Sequence, residues 1–189
     1  MSGIKIFIFL LTFFYLKSDI LQLTLLSRNK TTQQSSTLLN FFSSLAVDGR
    51  YDNIMNLNDN INPVCAYTNN DTLPSWWIVD LLDTYAISHI YFYNRVDCCL
   101  NRIIGVSISL LNAVNQTTYT CITFQQYQKI YNVSCGMNIG RYVQVTTSNN
   151  SILQICELEC FGELCEVKQN LGYRSTNFED LWGYLEFIE

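Results

Sequence analysis

Trp76-Trp77-Ile78-Val79-Asp80-Leu81 decides the fold class. Aromatic and β-branched residues crowd together here without a helical period, which reads as a strand. Toward the C-terminus, Ile87 to Tyr93 repeats the pattern, and Val106, Ile108 and Leu110 recur at period two. Tyr119 to Phe124 follows. Gly140-Arg141 opens another strand with Val143 and Val145 on one face, and Ile152 to Phe161 closes the series. Asn, Ser, Gly and Thr separate these pieces. Short strands at such spacing predict an antiparallel sandwich or barrel. Toward the N-terminus, residues 27–64 are polar and loop-like apart from the patch Leu45-Ala46-Val47.

The flanks differ in composition. Met1 to Asp19 carries an early cation at Lys5, an apolar run from Ile6 to Leu16, and then Lys17-Ser18-Asp19. That run is shorter than the roughly 20 residues a membrane span needs, and it fits the core of a secretory signal over residues 1–18. An uncleaved N-terminal anchor is the competing reading. In the tail, residues 163–189, Phe178, Leu181, Trp182, Leu185 and Ile188 could line one face of a short helix, or the tail could be the remnant of a following module. Eight cysteines lie behind the signal, at 65, 98, 99, 121, 135, 156, 160 and 165. An even count in that context predicts a disulfide framework, with pairings that sequence alone leaves open. Sequons at Asn29, Asn70, Asn115, Asn132 and Asn149 agree with secretion. The net charge of −5 and the lack of a basic cluster argue against nucleic acid as a partner.

Arg95-Val96-Asp97-Cys98-Cys99-Leu100-Asn101-Arg102 is the stretch with the most chemistry. Each guanidinium offers donors in a rigid planar fork that suits paired oxygen acceptors. A carboxylate between two arginines can hold them by charge-assisted bonds. Adjacent cysteines, oxidised to each other, would form a small ring with a flat sulfur face. The ordinary alternatives are a surface ion pair contributing under about 1 kcal/mol, and two sulfurs going to separate partners.

In context this stretch resembles the sugar-binding signature of F-type lectin domains, Arg-x-Asp-x(4)-Arg/Lys. The resemblance covers residues 27–162. Gln33-Gln34-Ser35-Ser36-Thr37, Ala46-Val47-Asp48-Gly49, Pro74 to Leu81, Gly140-Arg141-Tyr142-Val143 and Ile155-Cys156-Glu157-Leu158-Glu159 carry it in order. It implies an all-β fold of the discoidin-like superfamily, an eight-stranded antiparallel jelly-roll β-sandwich with disulfide-tied loops. It further implies pairing of Cys98 with Cys99, Cys121 with Cys135 and Cys65 with Cys156. Cys160 and Cys165 remain, for each other or for a partner chain.

The implied ligand is fucose in a glycan. Arg95 and Arg102 would donate to its oxygens, Asp97 would brace both arginines, and the Cys98–Cys99 disulfide would supply an apolar platform. The family places a histidine just after the cysteine equivalent to Cys65. Here Cys65-Ala66-Tyr67-Thr68-Asn69-Asn70 has none, and Tyr67 takes the place, or Thr68 if the loop length differs. His89, the sole histidine, reads as an ordinary strand residue. A structural Ca2+ is also implied, with side-chain ligands Asp48 and Glu157 and carbonyls near Leu45, Arg50 and Val64. Hard oxygen donors suit that ion.

Catalysis is not indicated. There is no His-Glu-x-x-His, no Gly-x-Ser-x-Gly and no phosphate loop. Two functions therefore compete: a secreted, calcium-stabilised fucose lectin, and a domain that keeps the fold but serves adhesion or protein interaction. A single pocket built of bonds netting about 0.5–3 kcal/mol each would bind at about micromolar or weaker, so homo-oligomerisation would add avidity.

Overall fold

The predicted strands form, and some are longer than the sequence pattern divides them. The computed structural model describes residues 23–54, 63–70, 74–147 and 152–165. The signal segment, the sequon at Asn149 and the tail beyond Cys165 lie outside the described residues. In chain order the strands are β1 (Thr24–Leu25), β2 (Thr31–Gln34), β3 (Ala66–Tyr67), β4 (Trp76–Tyr93), β5 (Val106–Leu111), β6 (Thr117–Thr123), β7 (Ile130–Thr147), β8 (Gln154–Ile155) and β9 (Glu157–Leu164). Short 3-10 helices span Ser43–Val47 and Leu100–Ile103.

Among the described residues, one antiparallel sheet runs β1-β9-β4-β7-β5-β6 with β2 also on β4, and β3 pairs with β8. The sequence divides β4 at residues 81–87, but the chain runs through as an 18-residue strand paired along its length with the 18-residue β7. The first half of β4 takes β2 as its second neighbour, and the second half takes β9. Between Asp80 and Tyr85 the register shifts, and Leu82 adopts a φ of 76°. Such corners let one strand serve both layers of a sandwich. This is the expected all-β jelly roll, its strands divided into nine segments among the described residues.

Period-two alternation builds the core. Trp77, Val79 and Leu81 are buried from the first half of β4. A second register shift between Ile87 and His89 then moves the buried set to Ile90 and Phe92. These residues join Val143, Val145, Ile108, Leu110 and Leu158 in a single apolar cluster drawn from both layers. The Trp77 indole N–H is satisfied by the Ser43 carbonyl at 2.9 Å. That bond docks the 3-10 turn whose Ala46 and Val47 are buried beneath it. The apolar patch read as part of a loop is thus a core contribution.

The structure joins Cys65 to Cys156, Cys98 to Cys99 and Cys121 to Cys135. A Cys160–Cys165 bond is not formed. Both thiols are free, and Cys160 is fully buried opposite Ile90 in β9. Five residues along an extended strand separate the two by about 16 Å, well outside disulfide reach. The ladder also extends past both sequence boundaries. β1 precedes residue 27 and pairs with β9, which itself continues to Leu164.

Gly162 is where β9 passes closest to β4. A Cβ there would lie 2.4 Å from the Ala86 carbonyl oxygen. Gly162→Ala should lower the unfolding free energy by about 1–3 kcal/mol, read as a reduced urea midpoint. An unchanged midpoint would contradict this packing.

Candidate functional site

The Arg95–Arg102 stretch leaves the end of β4 and crosses to β5. Asn94 is pinned as the strand ends, its N–H donating to the Lys129 carbonyl at 3.0 Å. Arg95 is buried, with 4% of its surface exposed. Its Nε and Nη2 donate to the two carboxylate oxygens of Asp97 at 2.9 and 2.7 Å. This bidentate pair fixes the plane of the guanidinium. The disulfide follows directly. Cys99, in the left-handed region at φ 61°, starts the 3-10 turn, and the Arg102 N–H donates to its carbonyl at 3.1 Å. The turn projects Arg102 back toward β3.

There it meets Tyr67. Arg102 Nη1 donates to the Tyr67 hydroxyl at 2.6 Å, and the guanidinium carbon lies 5.9 Å from the ring centre. Asp97 therefore braces Arg95, and Arg102 turns to Tyr67. A two-residue separation places a carboxylate beside Arg95, whereas Arg102 has turned away through the 3-10 helix.

Tyr67 is itself held firmly. Its ring is buried beside Phe41 at 6.1 Å, its N–H donates to the Phe41 carbonyl, and its carbonyl accepts from Leu38. The Gln34 side-chain amide reaches both the Phe41 and Tyr67 carbonyls at 3.1 and 3.3 Å. Thr68 faces the other way, exchanging bonds with Leu153 through its backbone N–H and its hydroxyl. Tyr67, not Thr68, is the residue turned to Arg102. Cys65–Cys156 ties this segment to the last strands. A cleft of only about 10 Å3 opens beside Arg102, Asn94 and Gln154. A ligand here would rest on an exposed surface flanked by Cys98 and Cys99.

Two of the residues expected to hold Ca2+, Asp48 and Glu157, lie close to one another. Glu157 is fully buried, and both its carboxylate oxygens accept from the Gly49 N–H at 3.2 Å. Burial pushes its carboxyl up to about 8, with Asp48 adding repulsion and Gly49 and Arg28 opposing the rise. Asp48 caps its own loop, accepting from the Arg50 N–H at 2.8 Å. Arg50 reaches the Pro63 carbonyl at 3.5 Å, which brings the Asp48 loop beside Val64. A buried carboxylate with a second carboxylate nearby supplies hard oxygen donors of the kind a cation takes, although the Arg28 guanidinium at 3.8 Å already offsets part of the charge. Leu45 is placed in the adjoining 3-10 turn.

Sequence reasoning missed Arg28. Its Nε lies 3.8 Å from Glu157, and its Nη2 donates to Glu159 at 3.1 Å. Tyr51 donates to the same Glu159 oxygen at 2.7 Å, and Tyr93 to the other at 3.3 Å. A Cβ at Gly49 would fall on the Arg28 guanidinium, so only glycine fits at this φ of 87°. The partners lie 131 residues apart in sequence, and no local pattern announces them. His89 stacks on Phe161 at 5.0 Å within the sheet and takes no part in either cluster.

Residues 45–145 match the family model of the NedA-like, galactose-binding domain. Fucolectin-6 of Anguilla japonica is 33% identical over 154 residues, covering 77% of this chain and 78% of that protein. The chain belongs to the F-type lectin family. Fucolectin-1 of Anguilla japonica is 34% identical over 120 residues, 60% of this F-type lectin and 64% of the relative. The chain thus spans less than two thirds of that relative's length. The lectin domain of lectinolysin, solved in complex with Lewis B antigen, superposes with a TM-score of 0.65 at 28% identity, covering 73% of this chain and 96% of that one.

Tyr67→Phe removes one hydroxyl and leaves the ring packed on Phe41. It should cost about 1 kcal/mol of stability, measured by urea unfolding. A loss far above this would mean that the hydroxyl holds more than the Arg102 guanidinium.

Proposed function

We propose that this F-type lectin is secreted and binds fucose-containing glycans at Arg95 and Arg102, with a structural Ca2+ at Glu157 and Asp48. The observation that carries the reading is the loop end itself. A bidentate Arg95–Asp97 pair, an Arg102 held on Tyr67 and an adjacent Cys98–Cys99 disulfide sit within one turn of chain. Its relatives support the choice of sugar, being named fucolectins or solved with Lewis B antigen.

Fucose is neutral, so recognition needs directed hydrogen bonds with apolar contact. Guanidinium N–H groups donate to sugar hydroxyl and ring oxygens, and their fixed forks reduce the entropy lost on binding. The disulfide offers the apolar patch that a C–H-rich sugar edge requires. When bound, Ca2+ would neutralise buried charge at Glu157 and tie the Asp48 loop to the start of β9. Its role is structural, and the protein residues alone meet the sugar. No catalytic step is assigned to any of these groups.

One observation favours a second reading, a domain adapted to adhesion or protein interaction. The Tyr67 hydroxyl already engages Arg102, so one donor is committed before any sugar arrives.

The readings separate on fucose–agarose. The native protein should be retained and released by free fucose, and Arg102→Ala should lose at least about tenfold in affinity, equivalent to about 1.4 kcal/mol. Failure of the folded native protein to bind would favour the second reading. Ca2+ at about a hundred times its dissociation constant should stabilise the fold by about 2.7 kcal/mol, raising the melting temperature by several degrees. Chelator should reverse the gain and Glu157→Gln should abolish it. Equal melting with and without Ca2+ in the native protein would remove the cation from the proposal.

A further inference from the structure

The face of the sheet opposite the core carries an open groove of about 410 Å3 whose lining includes neither Arg95 nor Arg102. It arises from strand alternation. Since Trp77, Val79 and Leu81 point inward, Trp76, Ile78 and Asp80 point outward. Register then sets neighbours beside them: Gln33 and Gln144 flank Ile78, and Tyr142 lies opposite Asp80. A solvent face built of ordinary small polar residues would not form such a surface.

The lining defines the occupant's chemistry. The Asp80 carboxylate is taken by Arg141, whose Nε and Nη2 donate to it at 2.9 and 2.8 Å. Beside that pair the lining includes the rings of Trp76 and Tyr142, with the Arg141 guanidinium 5.1 Å from the Tyr142 ring centre, the amides Gln33 and Gln144, and the apolar side chains Ile78 and Leu111. Aromatic faces receive the C–H-rich side of a pyranose, and amides exchange hydrogen bonds with hydroxyl and acetamido groups. The volume accommodates on the order of two sugar rings. The Asp80 and Arg141 charges are matched to each other, which favours a neutral ligand.

Asn115 names the source of that sugar. It opens the sequon Asn115-Gln116-Thr117, is exposed in the turn between β5 and β6, and lines the groove together with Thr117. The turn presents it in a fixed pose, its N–H donating to the Asn112 carbonyl at 3.1 Å and its φ at 61°. The exposed sequon residue Asn132, by contrast, lies on the other half of β7.

We propose that Asn115 is N-glycosylated and that the proximal N-acetylglucosamine pair of its own glycan lies in this groove against Trp76 and Tyr142. The proposal rests on the secretory reading above. The transfer joins Asn115 Nδ2 to the anomeric carbon of an oligosaccharide carried on a lipid diphosphate. Nδ2 gives up one proton, and the lipid diphosphate leaves. The docked pair covers apolar surface that would otherwise face water.

The full chain, secreted from a eukaryotic host, tests this. Glycopeptide mass spectrometry should find Asn115 occupied. An endoglycosidase that cuts between the proximal sugars should release that glycan at least about tenfold more slowly from native than from unfolded protein, because cleavage must wait for undocking. Trp76→Ala, and independently Tyr142→Ser, should remove the protection in protein that still melts cooperatively. Sugar on other sequons with Asn115 bare would overturn the proposal alone. So would release at equal rates from native and unfolded protein. Secreted protein with no sugar at any sequon would also overturn it while leaving secretion standing. Bare protein retained inside the cell would overturn both.

Discussion

The pairing of β4 with β7 is the constraint on which the rest of the molecule depends. Both strands run 18 residues, and each contributes to both layers of the sandwich. Every other strand of the main sheet reaches this pair directly or through one neighbour. The corner between Asp80 and Tyr85 lets a single ladder turn from one layer into the other without ending. Side chains from both halves therefore meet in one core. The arginine loop begins where β4 ends, so its origin is fixed by the longest hydrogen-bonded element in the fold.

Charge is buried at the ends of that frame in two different ways. Arg95 is compensated within its own loop by Asp97, over two residues. Glu157 and Glu159 are compensated across the molecule by Arg28, Tyr51 and Tyr93. Buried charges without partners cost several kcal/mol, so these contacts hold the loops as firmly as apolar packing does. The chain from Gln154 to Glu157 touches both groups. It lines the cleft beside Arg102, carries the disulfide to Cys65 and then supplies the buried carboxylate.

What the sequence discloses follows how local each signal is. The strand class was legible because alternation is written residue by residue, and the Arg95–Asp97 pair because it spans two positions. Even the bulge in β4 has a trace, since Ile87, Ile90 and Phe92 break period two once. Arg28 had no such trace. Its partners lie on the far strand, and nothing near it in sequence suggests a buried acid. Cys160 and Cys165 were left for each other or for a partner chain, and extended backbone holds the two apart. Tyr67 was legible only as a position, and its grip on Arg102 depends on how the 3-10 turn folds back. The outer groove was invisible for the same reason, because five strands must be in register before its residues become neighbours.

The groove's origin in strand register also governs how it can diverge among descendants of this chain. Deleting or inserting one residue within β2, β4 or β7 would turn its lining into the core and the core outward. That face can therefore drift only by exchange of one side chain for another at constant length. The connection at residues 94–105 is set by no strand register, and segments in it can lengthen or shorten at small entropic cost. The groove and the arginine loop thus follow different evolutionary grammars, one varied by spelling and the other by length.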